Sequence, residues 1–109
     1  LSGNLSGDNN VAIGHLTLSS NNSGLNNTGV GFRSLTANTT GDNNVAIGNN
    51  SGATITTGSN NIAIGNAANV PSGISNNQIR LGNTSVTYAG IQVAWTITSD
   101  IRSWAGFYK

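Results

Sequence analysis

Apolar residues in this chain come in short alternating bursts separated by longer polar stretches. The clearest burst is Val45-Ala46-Ile47, entered through Asp42-Asn43-Asn44 and left through Gly48. Val45 and Ile47 lie two residues apart, so on an extended backbone they share one face and Ala46 takes the other. The burst returns at a fixed interval. Asn-Asn pairs begin at Asn9, Asn26, Asn43 and Asn60, each 17 residues after the last, and one more step reaches Asn77, followed by Gln78. Gly14, Gly31, Gly48, Gly65 and Gly82 keep the same spacing, as do Gly7, Gly24, Gly41 and Gly58 before Ser75 takes that place. Val11, Thr28, Val45, Ile62 and Ile79 form a β-branched column, and Ile13, Val30, Ile47, Ile64 and Leu81 form a fully apolar one. Leu1, Leu18 and Leu35 share a third, which decays to Gly52 and Asn69. A register kept over five units without insertion marks a repeat architecture.

Seventeen residues are too few for a helix, a strand and two turns. Val, Ile and Thr at the extended positions, with little Leu or Lys and no Glu, also disfavour helix. Gly and Asn at fixed positions suit backbone conformations that other side chains resist. Each unit therefore reads as turn, short strand, Gly turn, looser second strand and turn. The expected fold is all-β: a parallel β-solenoid of about five coils over residues 1–82, stacked at about 4.8 Å and rising roughly 24 Å. The Asn9, Asn26, Asn43, Asn60 and Asn77 column is expected to form an amide ladder along the axis. Val11, Ile13, Val45, Ile47, Ile62, Ile64, Ile79 and Leu81 are expected to form the structural core.

Three core side chains per coil make a thin interior for a lone chain. The opposite column reads Ala12, Gly29, Ala46 and Ala63, then Arg80. Small residues in a row predict close approach of another chain there, so these four positions are expected to pack a homo-oligomer, the alternative being a monomeric solenoid whose Ala column merely keeps a face flat. Arg80 is expected to mark where that packing changes.

After Gly82 the repeat stops. Val86 and Tyr88 alternate, then Ile91, Val93, Trp95 and Ile97, which predicts C-terminal strands over 83–98 with a bend at Ala89-Gly90. Residues 99–109 read as a junction or tail. Most aromatic residues fall late in the chain, and a cap or inter-chain core is the expectation for them. A sugar-stacking surface of Trp95, Trp104 and Tyr108 is the functional alternative.

Composition narrows the functions. Only 6% of the 109 residues are charged, with net charge +1 and no Cys, against about 25% charged in an ordinary domain. Disulfide scaffolds and Cys-based zinc sites are excluded, and four scattered cations make no nucleic-acid stripe. No apolar run is long enough for a membrane span, and no signal-peptide pattern is present. His15 shares a column with Phe32, Asn49, Asn66 and Asn83 and reads as a solvated residue. Asp8 and Asp42 sit two coils apart, roughly 10 Å, too far to act as a carboxylate pair. The glycines recur at coil spacing and open no phosphate-binding helix. Sequons such as Asn26-Asn27-Thr28 follow from composition. The expectation is a non-enzyme without a cofactor or metal. The start at Leu1 reads as a segment of something longer.

Units such as Asn43-Asn44-Val45-Ala46-Ile47-Gly48 resemble the head repeats of trimeric autotransporter adhesins, which form left-handed parallel β-rolls. The 17-residue spacing, with Asn38-Thr39-Thr40-Gly41, is similar to repeats of phage and phage-like tail fibres. The stretch from Ile79-Arg80-Leu81-Gly82-Asn83 through Trp95-Thr96 to Ser99-Asp100-Ile101-Arg102 resembles the segment before an endosialidase-type intramolecular chaperone. The resemblance implies a left-handed homotrimer and marks Ser99 as the self-cleavage junction. Trp104 stands where that family carries its Lys, and Lys109 is not at the matching spacing, so self-cleavage by this chain is not expected. The implied function is a structural segment of a trimeric tail fibre in host attachment, on a virion or cell surface. Its partners would be its own copies and other fibre or baseplate proteins, without nucleic acid or membrane insertion. An adhesin-type head that binds a host glycan or matrix protein is the alternative. An ice-binding solenoid ranks third, because Thr17, Thr36 and Thr54 occupy different places in the unit.

Overall fold

The structure, a computed structural model, describes residues 6–96 and 98. Five three-residue strands recur along the chain: β1 (Val11–Ile13), β2 (Thr28–Val30), β3 (Val45–Ile47), β4 (Ile62–Ile64) and β5 (Ile79–Leu81). They form one parallel sheet in the order β1-β2-β3-β4-β5. Val11 lies beside Thr28, Thr28 beside Val45, Val45 beside Ile62 and Ile62 beside Ile79. Each 17-residue repeat is thus one turn of a parallel β-solenoid, with about four turns between the first strand and the last, and there is no helix among the described residues.

Turns recur as regularly as strands. Asn9, Asn26, Asn43, Asn60 and Asn77 all lie in the left-handed region, with φ between 56° and 63°. Gly14, Gly31, Gly48 and Gly65 take φ between 121° and 128°, a conformation nearly closed to L side chains. A further left-handed column holds Leu16, Arg33, Asn50 and Ala67. Backbone bonds between coils fix it, such as Arg33 N–H to His15 O (2.9 Å) and Ala67 N–H to Asn49 O (2.8 Å).

The two faces of the sheet are the reverse of those expected. Ala46 and Ala63 are 0% exposed and pack inside the coil with Leu18, Leu35, Ile55, Ala68 and Val70, with Ala12 against them. Gly29, Ala46 and Ala63 are therefore buried in the chain's own interior, with Ala12 half-buried against it, so this column is the inner face of the sheet and not the outer contact face expected. Val11, Ile13, Ile47, Ile64, Ile79 and Leu81 are exposed, and Val45 and Ile62 are half-buried; they face outward and are not the core. The cause is that side chains from other corners of the coil already occupy the space facing the strand. A Cβ added at Gly29 would already meet Thr17 Cγ2 at 2.8 Å, so the inner column has no room for β-branched side chains.

The buried amide ladder is also one residue away from the expected column. Asn9, Asn26, Asn43, Asn60 and Asn77 are exposed turn residues, although Asn60 Nδ2 does donate to Asn77 Oδ1 (2.7 Å). The interior ladder is formed by Asn10, Asn27, Asn44, Asn61 and Gln78. Each Oδ1 accepts the backbone N–H of the next member: Asn10 from Asn27 (2.9 Å), Asn27 from Asn44 (2.9 Å), Asn44 from Asn61 (3.0 Å) and Asn61 from Gln78 (2.9 Å). Each Nδ2 donates to a carbonyl of the following coil, on Gly24, Gly41, Gly58 and Ser75 in turn. Burying so much amide is tolerable because the amides are paired. A second ladder runs from Asn38 Nδ2 to Asn21 Oδ1 (2.9 Å).

The expected strands over 83–98 do not form among the described residues 83–96. Hydrogen bonds of Asn83 and Val86 are local or reach back to Asn66, and Trp95 is 69% exposed. Alternation supplies an apolar face to a strand, but a strand also needs a neighbour to pair with, and among the described residues the stack ends at β5.

Candidate functional site

The feature that stands out on this solenoid is the outward face of its sheet. Side chains of one strand face project every second residue, so β1 to β5 each contribute two: Val11 and Ile13 at one end, Ile79 and Leu81 at the other. Register stacks them into two continuous columns, apolar except at Thr28. Ile13 is 59% exposed, Ile79 68% and Leu81 61%. Polar substitution in these columns is confined to Thr28. A parallel sheet is ordinarily covered on both faces. Here one face is packed by the coil interior and the other is apolar and open within the single chain.

Beside this face, the turn after each strand carries a second set of exposed groups. His15 stacks on Phe32, with ring centroids 5.8 Å apart and planes 13° from parallel. The guanidinium carbon of Arg33 lies 6.0 Å from the Phe32 ring centre. The 17-residue step already places His15 over Phe32 in one column, so the ring pair was available from the repeat. Its reading as ordinary solvated surface missed the stacking. Leu16 and Leu25 are exposed nearby in sequence. This end of the solenoid is therefore more aromatic than the coils that follow, where the same column reads Asn49, Asn66 and Asn83.

Among the described residues no three His, Cys, Asp or Glu side chains come together, and no cavity opens between the coils. Asp42 serves the fold, its Oδ1 accepting the Leu25 N–H at 2.8 Å. The same bridge repeats one coil later, where Ser59 Oγ takes the Asp42 N–H (3.0 Å), and again where Asn76 Oδ1 takes the Ser59 N–H (2.8 Å). Ser99, Trp104 and Tyr108 lie outside the described residues. No protein family, curated protein or solved structure was found to match the chain.

Proposed function

We propose that this chain is a non-catalytic structural segment of a homotrimeric attachment fibre of the phage-tail type, and that copies meet through the outward Val/Ile face. The observation that carries the reading is the pair of apolar columns on β1 to β5. Contiguous apolar surface of this kind marks an interaction site, and an open apolar face on a parallel sheet is the surface most in need of a cover. A second copy offers the same flat, uncharged columns at the same 17-residue repeat, so like packs on like with matched spacing. Three-fold symmetry and left-handed winding come from the resemblance to fibre and adhesin repeats. In the trimer, the alternating stretch over 83–98 gains neighbours and closes the end as a β cap. Other fibre or baseplate proteins would attach beyond it, placing the assembly on a virion or cell surface.

The adhesin reading, in which the segment itself binds a host glycan, is favoured by the exposed His15–Phe32 stack with Arg33 beside it. Aromatic faces and a cation suit a sugar ring and its hydroxyl or carboxylate groups. Ice binding receives no such support, since the flat face holds Val, Ile and Leu81, with Thr28 its single threonine.

Sedimentation equilibrium decides the main reading. Wild type is expected to run as a trimer at micromolar concentration. Ile47→Asp with Ile64→Asp is expected to run as a monomer with an unchanged circular dichroism spectrum. A monomeric wild type would overturn the proposal. A glycan array on the assembled protein, with Phe32→Ala as control, tests the second reading.

A further inference from the structure

Three columns change identity in the last coil, and each change spoils the surface on which another coil would sit. We infer that Ser75, Gln78 and Arg80 form a built-in stop that closes the C-terminal end of the stack to any further coil, including the first coil of a second copy.

The first change is steric. Gly24, Gly41 and Gly58 hold a column in which an added Cβ would collide with the carbonyl oxygen of the next coil: Gly41 O, Gly58 O and Ser75 O respectively. The column ends in Ser75, which carries the Cβ its predecessors lack. An incoming carbonyl at the same spacing would meet that atom.

The second change removes a template. Each interior Asn offers its amide forward, accepting from one N–H and donating to one carbonyl of the following coil. Gln78 is longer by one methylene and turns its amide back. Its Nε2 donates to Ser72 O (2.8 Å), Ser75 O (3.1 Å) and Asn61 Oδ1 (3.1 Å), and its Oε1 accepts the Ser72 N–H (3.1 Å). The groups that would have received a new coil are spent inside the old one.

The third change is electrostatic. Arg80 pairs in register with Ala63, the last small residue of the inner column. Ala63 is fully buried, whereas Arg80 is only half-buried. A sixth coil would enclose the guanidinium among small apolar side chains, and burying an unpaired charge is costly. An inward charge at a sheet edge is a known guard against further pairing, and terminal repeats that differ from internal ones commonly serve as caps. The inference concerns the end of the stack and holds for one copy or three, so it does not depend on what covers the Val/Ile face.

The test is to offer the chain a coil it should accept, at two places. A copy of residues 48–64 inserted after Ile64 keeps every column in register, as does the same copy inserted after Leu81. Amide hydrogen exchange then reads whether the added coil joins the ladder. After Ile64, exchange of the added amides is expected to slow by about tenfold or more relative to an unstructured chain. After Leu81 it is expected to remain unprotected. Combining the Leu81 insertion with Ser75→Gly, Gln78→Asn and Arg80→Ala is expected to restore the protection. Protection after Leu81 with the three residues intact would overturn the stop. So would its absence after all three replacements, if the same coil is protected after Ile64.

Discussion

Asn43 and Asn44 share a side chain and little else. Asn43 sits at φ 57° on the surface, where its use is tolerance of a left-handed turn. Asn44 is fully buried and joins two coils through the Asn61 N–H (3.0 Å) and Gly58 O (2.9 Å). Glycine can replace the first and not the second. Asn43→Gly is expected to change stability by less than about 0.5 kcal/mol. Asn44→Gly leaves a buried donor and a buried acceptor unmatched and is expected to cost about 2–4 kcal/mol. Urea denaturation of the two variants side by side checks the contrast, and equal losses would refute it. Ala67 gives a converse case: at φ 53° it bears left-handed strain with no side-chain contribution to offset it. Ala67→Gly is expected to raise stability by about 0.5–1 kcal/mol, read as a higher melting temperature. The sequence displayed the Asn-Asn pairs plainly. It did not show which member turns the chain and which enters the interior, because both lie in perfect columns and only the backbone path separates them.

At the scale of the element, a coil is a closed loop whose interior must be filled from more than one corner. The loops at Leu18 and Leu35 fill theirs with leucine, while Asn21 and Asn38 occupy the corner three residues on. The next loop exchanges the two: Gly52 replaces Leu and Ile55 replaces Asn. A Cβ at Gly52 would meet Ala46 Cβ and Leu35 Cδ2 at 3.0 Å and Ile55 Cδ1 at 3.4 Å. The isoleucine has taken up the leucine's space from the other side. Gly52→Leu alone is therefore expected to overpack and to cost about 1–3 kcal/mol. Gly52→Leu with Ile55→Asn restores the pattern of the preceding coil and is expected to recover most of that loss, a coupling that a double-mutant cycle in denaturant measures. In the sequence this exchange looks like decay of a column. Period, the first strand of each unit and parallel stacking were legible from the 17-residue step, whereas the looser second strand expected in each unit is replaced by turns and bends among the described residues. The side of the sheet that faces inward was not legible. Alternation distinguishes two faces without ranking them, and the usual assumption that the larger apolar residues of a strand go inside fails when Leu18, Leu35 and Ile55 from other corners of the coil already fill that space.

For the whole molecule, that reversal moves the candidate site. Substitutions on the two sides of one strand should separate folding from assembly. Ile47→Asp with Ile64→Asp is expected to leave the coil folded and abolish self-association. Ala46→Asp, one residue away, buries a carboxylate in the interior and is expected to unfold the chain, read as loss of the β circular dichroism signal. If Ala46→Asp folded normally and abolished association, the faces would have been assigned the wrong way round. The small-residue column pointed to a partner chain, yet in the structure that column lines the interior, and the residues expected to form the core are the ones left uncovered. The aromatic pair at His15 and Phe32 was visible as a column and gained meaning only from the ring geometry.

The ladder bonds between coils run along the axis of the stack. Tension applied at its two ends therefore loads successive junctions in series, and each junction carries the full pull by itself. The shaft should lengthen in steps under such force, with every released loop of 17 residues adding roughly 50 Å of slack. Such a rod spools out readily, and in the proposed trimer neighbours gripping its flank would be what keeps it from unravelling.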